Sequence, residues 1–283
     1  MFYDRGDLKM KKKHFFRELV KTIWHKWWFL TIALLAQLIP PYTSGSFQFA
    51  GMRTVNAYIL THPIKGNFAA IFPIFQILPV LVLIAIFLGG REAAPFFSGY
   101  GFFCYVIIPF MQNTSISESY GVAVATGNML VFLLLAGMWL WETIELENDF
   151  TPKRLPVWKY WPFLFAFFAF WEPLHPQALM TDFNLHHLLT SGSGLSFCMI
   201  TPLFLAVLIT HFPDVNKTVL IATSFVGFIM ALGNFYLEFV LVPSSWWTGV
   251  LHIPLFILSS YGIILSFTEQ YQITKSIIAE NEN

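Results

Sequence analysis

Apolar residues run along this chain in long blocks divided by short polar connectors. Eight blocks stand out, at approximately residues 23–40, 67–89, 96–112, 121–141, 157–172, 194–211, 218–240 and 247–268. A helix needs about 20 apolar residues to cross a hydrocarbon layer of roughly 30 Å. The pattern therefore predicts an all-α, polytopic transmembrane helical bundle of about eight spans. The fifth block is short, and Pro109 interrupts the third. The longest connector, residues 41–66, carries Tyr42, Arg53, His62 and Lys65 and leaves no room for a soluble domain.

The basic residues give the bundle an orientation, because cytoplasmic segments carry the excess of lysine and arginine. With the N-terminus inside, fourteen lie in inner segments, among them Lys11, Lys12, Lys13, Arg91, Lys153, Arg154 and Lys217, against Arg53 and Lys65 outside. The expected organisation is a cytoplasmic basic segment (1–22), two N-terminal spans with an external loop (23–95), a six-helix membrane domain (96–268) and a cytoplasmic tail (269–283). The expected location is the cell (inner) membrane, multi-pass, with both termini cytoplasmic. The first 22 residues are too polar for the core of a signal peptide, so the first span is expected to stay as an anchor. Met10 offers an alternative start to Met1.

Composition agrees with this picture and narrows the chemistry. The chain is 56% apolar and 11% charged, with 32 phenylalanines, which fits neither a soluble nor a disordered protein. Its two cysteines, Cys104 and Cys198, both fall in apolar blocks, so neither a disulfide framework nor a cysteine-based zinc site is expected. Nothing points to nucleic acid as a partner. Asn113-Thr114-Ser115 matches a glycosylation sequon, a triplet that arises often by chance. Trp24, Trp27, Trp28, Trp139, Trp141, Trp158, Trp161, Trp246 and Trp247 gather where span ends are expected, as interfacial anchors do.

Ionisable groups inside apolar blocks are costly, so their positions are the best functional clue. In the expected topology they lie on the outer side: Glu172 and His175 at the end of the fifth span, Asp182, His186 and His187 beyond it, Asn234 and Glu238 near the end of the seventh, and His252 early in the eighth. His211 is the exception on the inner side, and the inner half of the bundle is otherwise expected to be nearly free of polar groups. Residues three or four apart share a helix face. That groups Asp182 with His186, Asn234 with Glu238 and, if the helix passes Pro173, Glu172 with His175. Imidazole and carboxylate together suit zinc, copper or iron, a proton relay or a haem.

The spacing resembles the C subunit of the copper-dependent membrane monooxygenases, the particulate methane and ammonia monooxygenases. That family carries N-x3-H with a further histidine fourteen residues on in a PLH-like setting. Here Asn234 and Glu238 keep the N-x3 spacing, and His252, in GVLHIPL, falls fourteen residues after Glu238. His175, in EPLHPQ, stands where the family's first histidine is, and His186 or His187 stands one or two residues short of the second. MWLWE followed by DFTPKRLP, TDFNLHH, and THFP resemble the family's flanking segments. The likeness covers roughly residues 96–268, six spans, with two N-terminal helices as an extra. It departs in two places. The family's aspartate falls on Trp171, beside Glu172, and a histidine is replaced by Glu238, which makes the set richer in oxygen.

The resemblance implies an integral membrane subunit of a metal-dependent complex that oxidises a small molecule such as methane, ammonia or a short hydrocarbon. The metal would be copper, with another transition metal as the variant. Its ligands would come from His175, His186, His187, Asn234, Glu238 and His252, with Glu172 and Asp182 as ligands or supporting carboxylates. Asp182 is expected to hold the ring of His186. Other membrane subunits, the lipid bilayer and a small-molecule substrate are the implied partners. A proton- or metal-coupled transporter and a non-catalytic scaffold or assembly factor are the rival classes.

Overall fold

The computed structural model describes residues 28–45, 51–151, 155–175 and 178–281. The basic segment 1–22, Trp24, Trp27, Lys153 and Arg154 lie outside them. The chain is mostly helical: α1 is Trp28–Ala36, α2 Met52–Thr61, α3 Phe72–Gly89, α4 Ala94–Gln112, α5 Thr126–Glu145, α6 Trp161–Trp171, α7 His187–Thr190, α8 Phe197–Thr210, α9 Lys217–Phe235, α10 Trp246–Leu251 and α11 Ile253–Asn281. Every apolar block holds a helix.

Length is where the structure departs from eight full spans. Among the described residues, three continuous helical stretches are long and apolar enough to cross a membrane: Thr54–Gln112, Thr126–Glu145 and Lys217–Leu241. The first runs for 59 residues and contains both α3 and α4. Two more qualify only as bent pairs, His187–Leu195 with Phe197–Thr210, turned by 90°, and Pro243–Leu251 with Ile253–Thr268, turned by 48°. The count is thus three to five. Helix α6 has 11 residues and covers roughly half of a 30 Å layer at about 1.5 Å per residue. Its sequence explains the stop: Pro173 disfavours helical backbone at the residue before it, and Glu172 turns into the left-handed region at φ 50°, ψ 63°.

Helix α8 organises the interior. Its sequence, FCMITPLFLAVLIT, has no charged position, and all 14 residues are buried, as expected of a helix that is apolar all round. Aromatic side chains lock α4 and α5 onto it. Trp139 lies 5.4 Å from Phe97, 5.8 Å from Tyr105 and 5.0 Å from Phe204 between ring centroids. Its indole N–H donates to Thr223 Oγ1 at 3.0 Å. Gly101 makes this possible, since a Cβ there would overlap the indole ring. Helices α9 and α11 approach through a reciprocal pair of S-x-x-G steps. Gly227 faces Ser259, and Gly262 faces Ser224. Small residues at such positions let two apolar helices pack backbone to backbone. On the opposite surface Leu88, Phe96 and Leu164 are 82%, 70% and 72% exposed, an apolar exterior suited to lipid.

The fold is not wholly helical. Tyr42–Thr43 (β1), Thr114–Ser117 (β2) and Gly121–Val124 (β3) form an antiparallel sheet of order β1-β3-β2. The fourth apolar block therefore opens as a strand, where the β-branched run TSIS…GVAV outweighs its hydropathy. Asn113, just before β2, is fully buried, which removes the sequon from reach of modification.

Candidate functional site

The helix ends expected to face outward converge on a polar cluster. After α6 the chain folds back over the bundle: Leu174 pairs with Thr181 in a β-bridge, and the Asp182 N–H donates to Pro173 O at 3.2 Å. Trp247 fastens this flap by donating its indole N–H to Pro173 O at 2.8 Å. Trp171 donates to Asn184 O at 3.1 Å.

Glu172 is the hub beneath the flap. Its carboxylate interacts electrostatically with Lys65, His252 and His187, and with the Ser191 hydroxyl. Burial is the main influence on it and pushes its pKa above the ordinary carboxylate range; Lys65 is the first group that opposes this. Its Oε2 is buried without a hydrogen bond. Its backbone is also in the left-handed region, where glycine is usual at a helix end. A non-glycine residue kept there at a cost of about 1–3 kcal/mol points to a requirement for the side chain.

Two histidine–carboxylate pairs flank Glu172. On the outer side His187 Nε2 lies 2.9 Å from Asp182 Oδ2. That bond, and then the Asn184 N–H, hold the Asp182 carboxyl below its usual range. On the inner side the buried His252 and Glu238 meet, with Nδ1 and Oε2 3.0 Å apart. The same Nδ1 lies 2.8 Å from Thr248 O, which takes the N–H, so Glu238 Oε2 keeps no hydrogen bond. Glu238 sits in a π-helical segment, Tyr236–Leu241, of the kind that often marks a functional position. Cys198 neighbours His252, and the Asn234 amide reaches Cys198 Sγ at 3.5 Å.

Lys65, from the 3-10 segment Ile64–Ile71, donates to Ser196 Oγ. Gln76, on α3, presents its Nε2 to Ser191 O, Ser191 Oγ and Ser193 Oγ at 2.8, 2.7 and 2.6 Å, while its Oε1 is buried and unpaired. Neither residue is conspicuous in the sequence; each is a single polar residue that becomes part of the cluster only through packing.

Of the eight residues expected at a site, Glu172, Asp182, His187, Glu238 and His252 belong to this cluster, and Asn234 touches its edge. His186 does not, and His175 reaches it only through its charge near Asp182. Both are exposed, and His175 Nδ1 accepts the Ala178 N–H at 3.1 Å. Asp182 pairs with His187 instead of His186, because residues 182–186 are not helical and four-residue spacing brings no shared face. Among the described residues no group of three or more histidine, cysteine, aspartate or glutamate side chains is placed to hold a metal ion. The donors are grouped in pairs.

The inner end corrects a second expectation. Glu142 is fully buried there, with both oxygens satisfied: Oε1 accepts the Asn148 N–H at 2.8 Å and Oε2 accepts Asn216 Nδ2 at 2.6 Å. Asn216 Oδ1 caps α9 by accepting the Val219 N–H at 3.1 Å, and its own N–H donates to Asn148 Oδ1 at 2.8 Å. The end expected to face inward is thus not free of polar groups. The signal was Asn216 at the N-cap position before an apolar run.

No protein-family model matches the chain, and no curated protein or solved structure matches it.

Proposed function

We propose that this is a multi-pass membrane protein, eight-spanning with both termini cytoplasmic, that exchanges protons at its outer face through Glu172. Asp182 and His187 form the solvent-facing end of the relay, and His252 with Glu238 forms its deep end. Proton-coupled transport is the class this geometry supports best. The observation that carries it is the Glu172 carboxylate, drawn among Lys65, His187 and His252 with one buried oxygen left without a hydrogen bond. A buried titratable group that is incompletely paired, among partners that can take or give a proton, is suited to transfer rather than to support.

Infrared titration of the reconstituted protein tests this. A protonated carboxyl persisting above the ordinary glutamate range, about 4.3, and absent from Glu172→Gln, is the expected result. A titration unchanged by the substitution would overturn the assignment. Flux driven by a pH gradient in liposomes containing this chain alone would place the relay in a transporter.

A second reading has one observation of its own. The N-x3-E spacing and the histidine fourteen residues later resemble the monooxygenase C subunit, and Glu238 and His252 lie 3.0 Å apart. Under this reading the protein is a subunit of a metal-dependent, copper-binding oxidative complex with other membrane subunits, and Glu238 and His252 supply ligands. Metal analysis of the complex decides it. Stoichiometric metal that is lost in His252→Ala would favour the oxidative complex over the transporter. Full activity after loss of all these histidines would leave only a scaffold.

A further inference from the structure

A second feature lies beside the acid–base cluster and is of a different chemical kind. A cleft of about 640 Å³ opens between the outer ends of the helices. Five carboxamide side chains line it, each from a different segment: Gln37 after α1, Asn56 on α2, Gln112 on α4, Asn128 on α5 and Asn234 on α9. Among the described residues the rest of the lining is apolar apart from Cys198 and Tyr236, with no charged side chain or histidine. Two of the amides carry buried atoms without a partner, Gln37 Nε2, a donor, and Asn56 Oδ1, an acceptor. Gln112 Oε1 is taken up by the Phe197 N–H at 2.7 Å and Asn234 Nδ2 by Met230 O at 2.8 Å, whereas the unpaired buried atoms of Gln37 and Asn56 are costly where they stand.

The chemistry of the lining selects its occupant. An anion would find no cation, and a cation no carboxylate. A purely apolar molecule would leave the amide donor and acceptor unpaired. Carboxamides offer both donor and acceptor, so the matching ligand is neutral and carries hydroxyl or carbonyl groups of both kinds on an apolar body. The volume falls in the range of small-molecule sites. The rim gives the route of entry: Leu232, Tyr236 and Leu241 are 45%, 55% and 50% exposed on the outer half of α9 and the π-helical segment. Such an exposed apolar rim is suited to lipid.

We infer that the cleft binds a neutral membrane amphiphile with a hydroxylated head, entering laterally from the outer leaflet. Hydroxylated acylglycerols and membrane quinols share this chemistry. The inference does not depend on the proton-exchange reading, because none of the titratable residues of that site lines the cleft except Cys198.

Native mass spectrometry of the delipidated full-length protein tests it with four probes: monooleoylglycerol, decylubiquinol, and the charged oleic acid and oleylamine. Saturable binding of one or both neutral probes, with the charged probes failing to compete, is the expected result, and which neutral probe binds identifies the source. Gln37→Leu combined with Asn56→Leu should weaken that binding about tenfold or more. Both substitutions replace unpaired polar atoms by apolar ones, so the melting temperature of the ligand-free variant should not fall. Equal binding of the charged probes, no saturable binding of either neutral probe, or full affinity in the double variant would each overturn the inference.

Discussion

Glu142 and Glu172, at opposite ends of the bundle, sit in opposite kinds of environment. Around Glu142 every side-chain oxygen and nitrogen of Asn148 and Asn216 has a partner, and the network closes on itself. Around Glu172 the hydrogen bonding is incomplete: Glu172 Oε2, Glu238 Oε2 and Gln76 Oε1 are all buried without a hydrogen bond. A fully satisfied network rigidifies a fold, whereas an incompletely paired one is tolerated where the chain has another use for it. The Glu142 cluster is therefore the clamp that joins the α5–α6 loop to the start of α9, and the Glu172 cluster is the one we propose as the working site.

Breaking the clamp should have the largest effect. Asn216→Ala removes a helix cap and leaves Glu142 Oε2 without its donor, at a combined cost of roughly 2–4 kcal/mol. The apparent melting temperature in detergent should fall by about 10 °C. A fall of less than a few degrees would remove the distinction between the two ends.

Glu172→Gln should have the opposite sign and a smaller size. The folded-state pKa of Glu172 is raised, so the folded protein holds its proton to higher pH than the unfolded chain does. Its contribution to stability is greatest below the ordinary glutamate range and is lost as pH rises through the raised value. The glutamine variant should melt a few degrees above the wild type at pH 8, and the difference should vanish near pH 4. A variant less stable at pH 8 would make Glu172 a structural residue like Glu142.

The smallest effect belongs to Asp182→Asn. Asp182 is partly exposed and its folded pKa is lowered by His187 and the Asn184 N–H, so what it adds is present above the ordinary aspartate range and lost as pH falls through the lowered value. The melting temperature should hardly move, while hydrogen exchange at Asn184 should quicken by a factor of a few. Unchanged exchange would detach Asp182 from the site.

Much of the architecture was legible from residue order. Block length and apolarity alone place the helices, since the hydrophobic cost of exposing such runs to water is independent of topology. The positions of Glu238 and His252 could be singled out because a charged or imidazole group inside an apolar run must be paired. What spacing could not supply was how segments end. Asp182 and His186 are four apart, yet their pairing requires a helix that the non-helical backbone of 182–186 does not provide, and His187 takes the place instead. Lys65 and Gln76 carried no signal of their own.

Sequence by itself determined where this chain builds apolar helices and where ionisable residues interrupt them, because the solvation of each block depends on its own composition. Tertiary structure decided which of those residues meet. Pairing across segments depends on where each helix stops and turns, and those stops are set by contacts with helices far away in the chain.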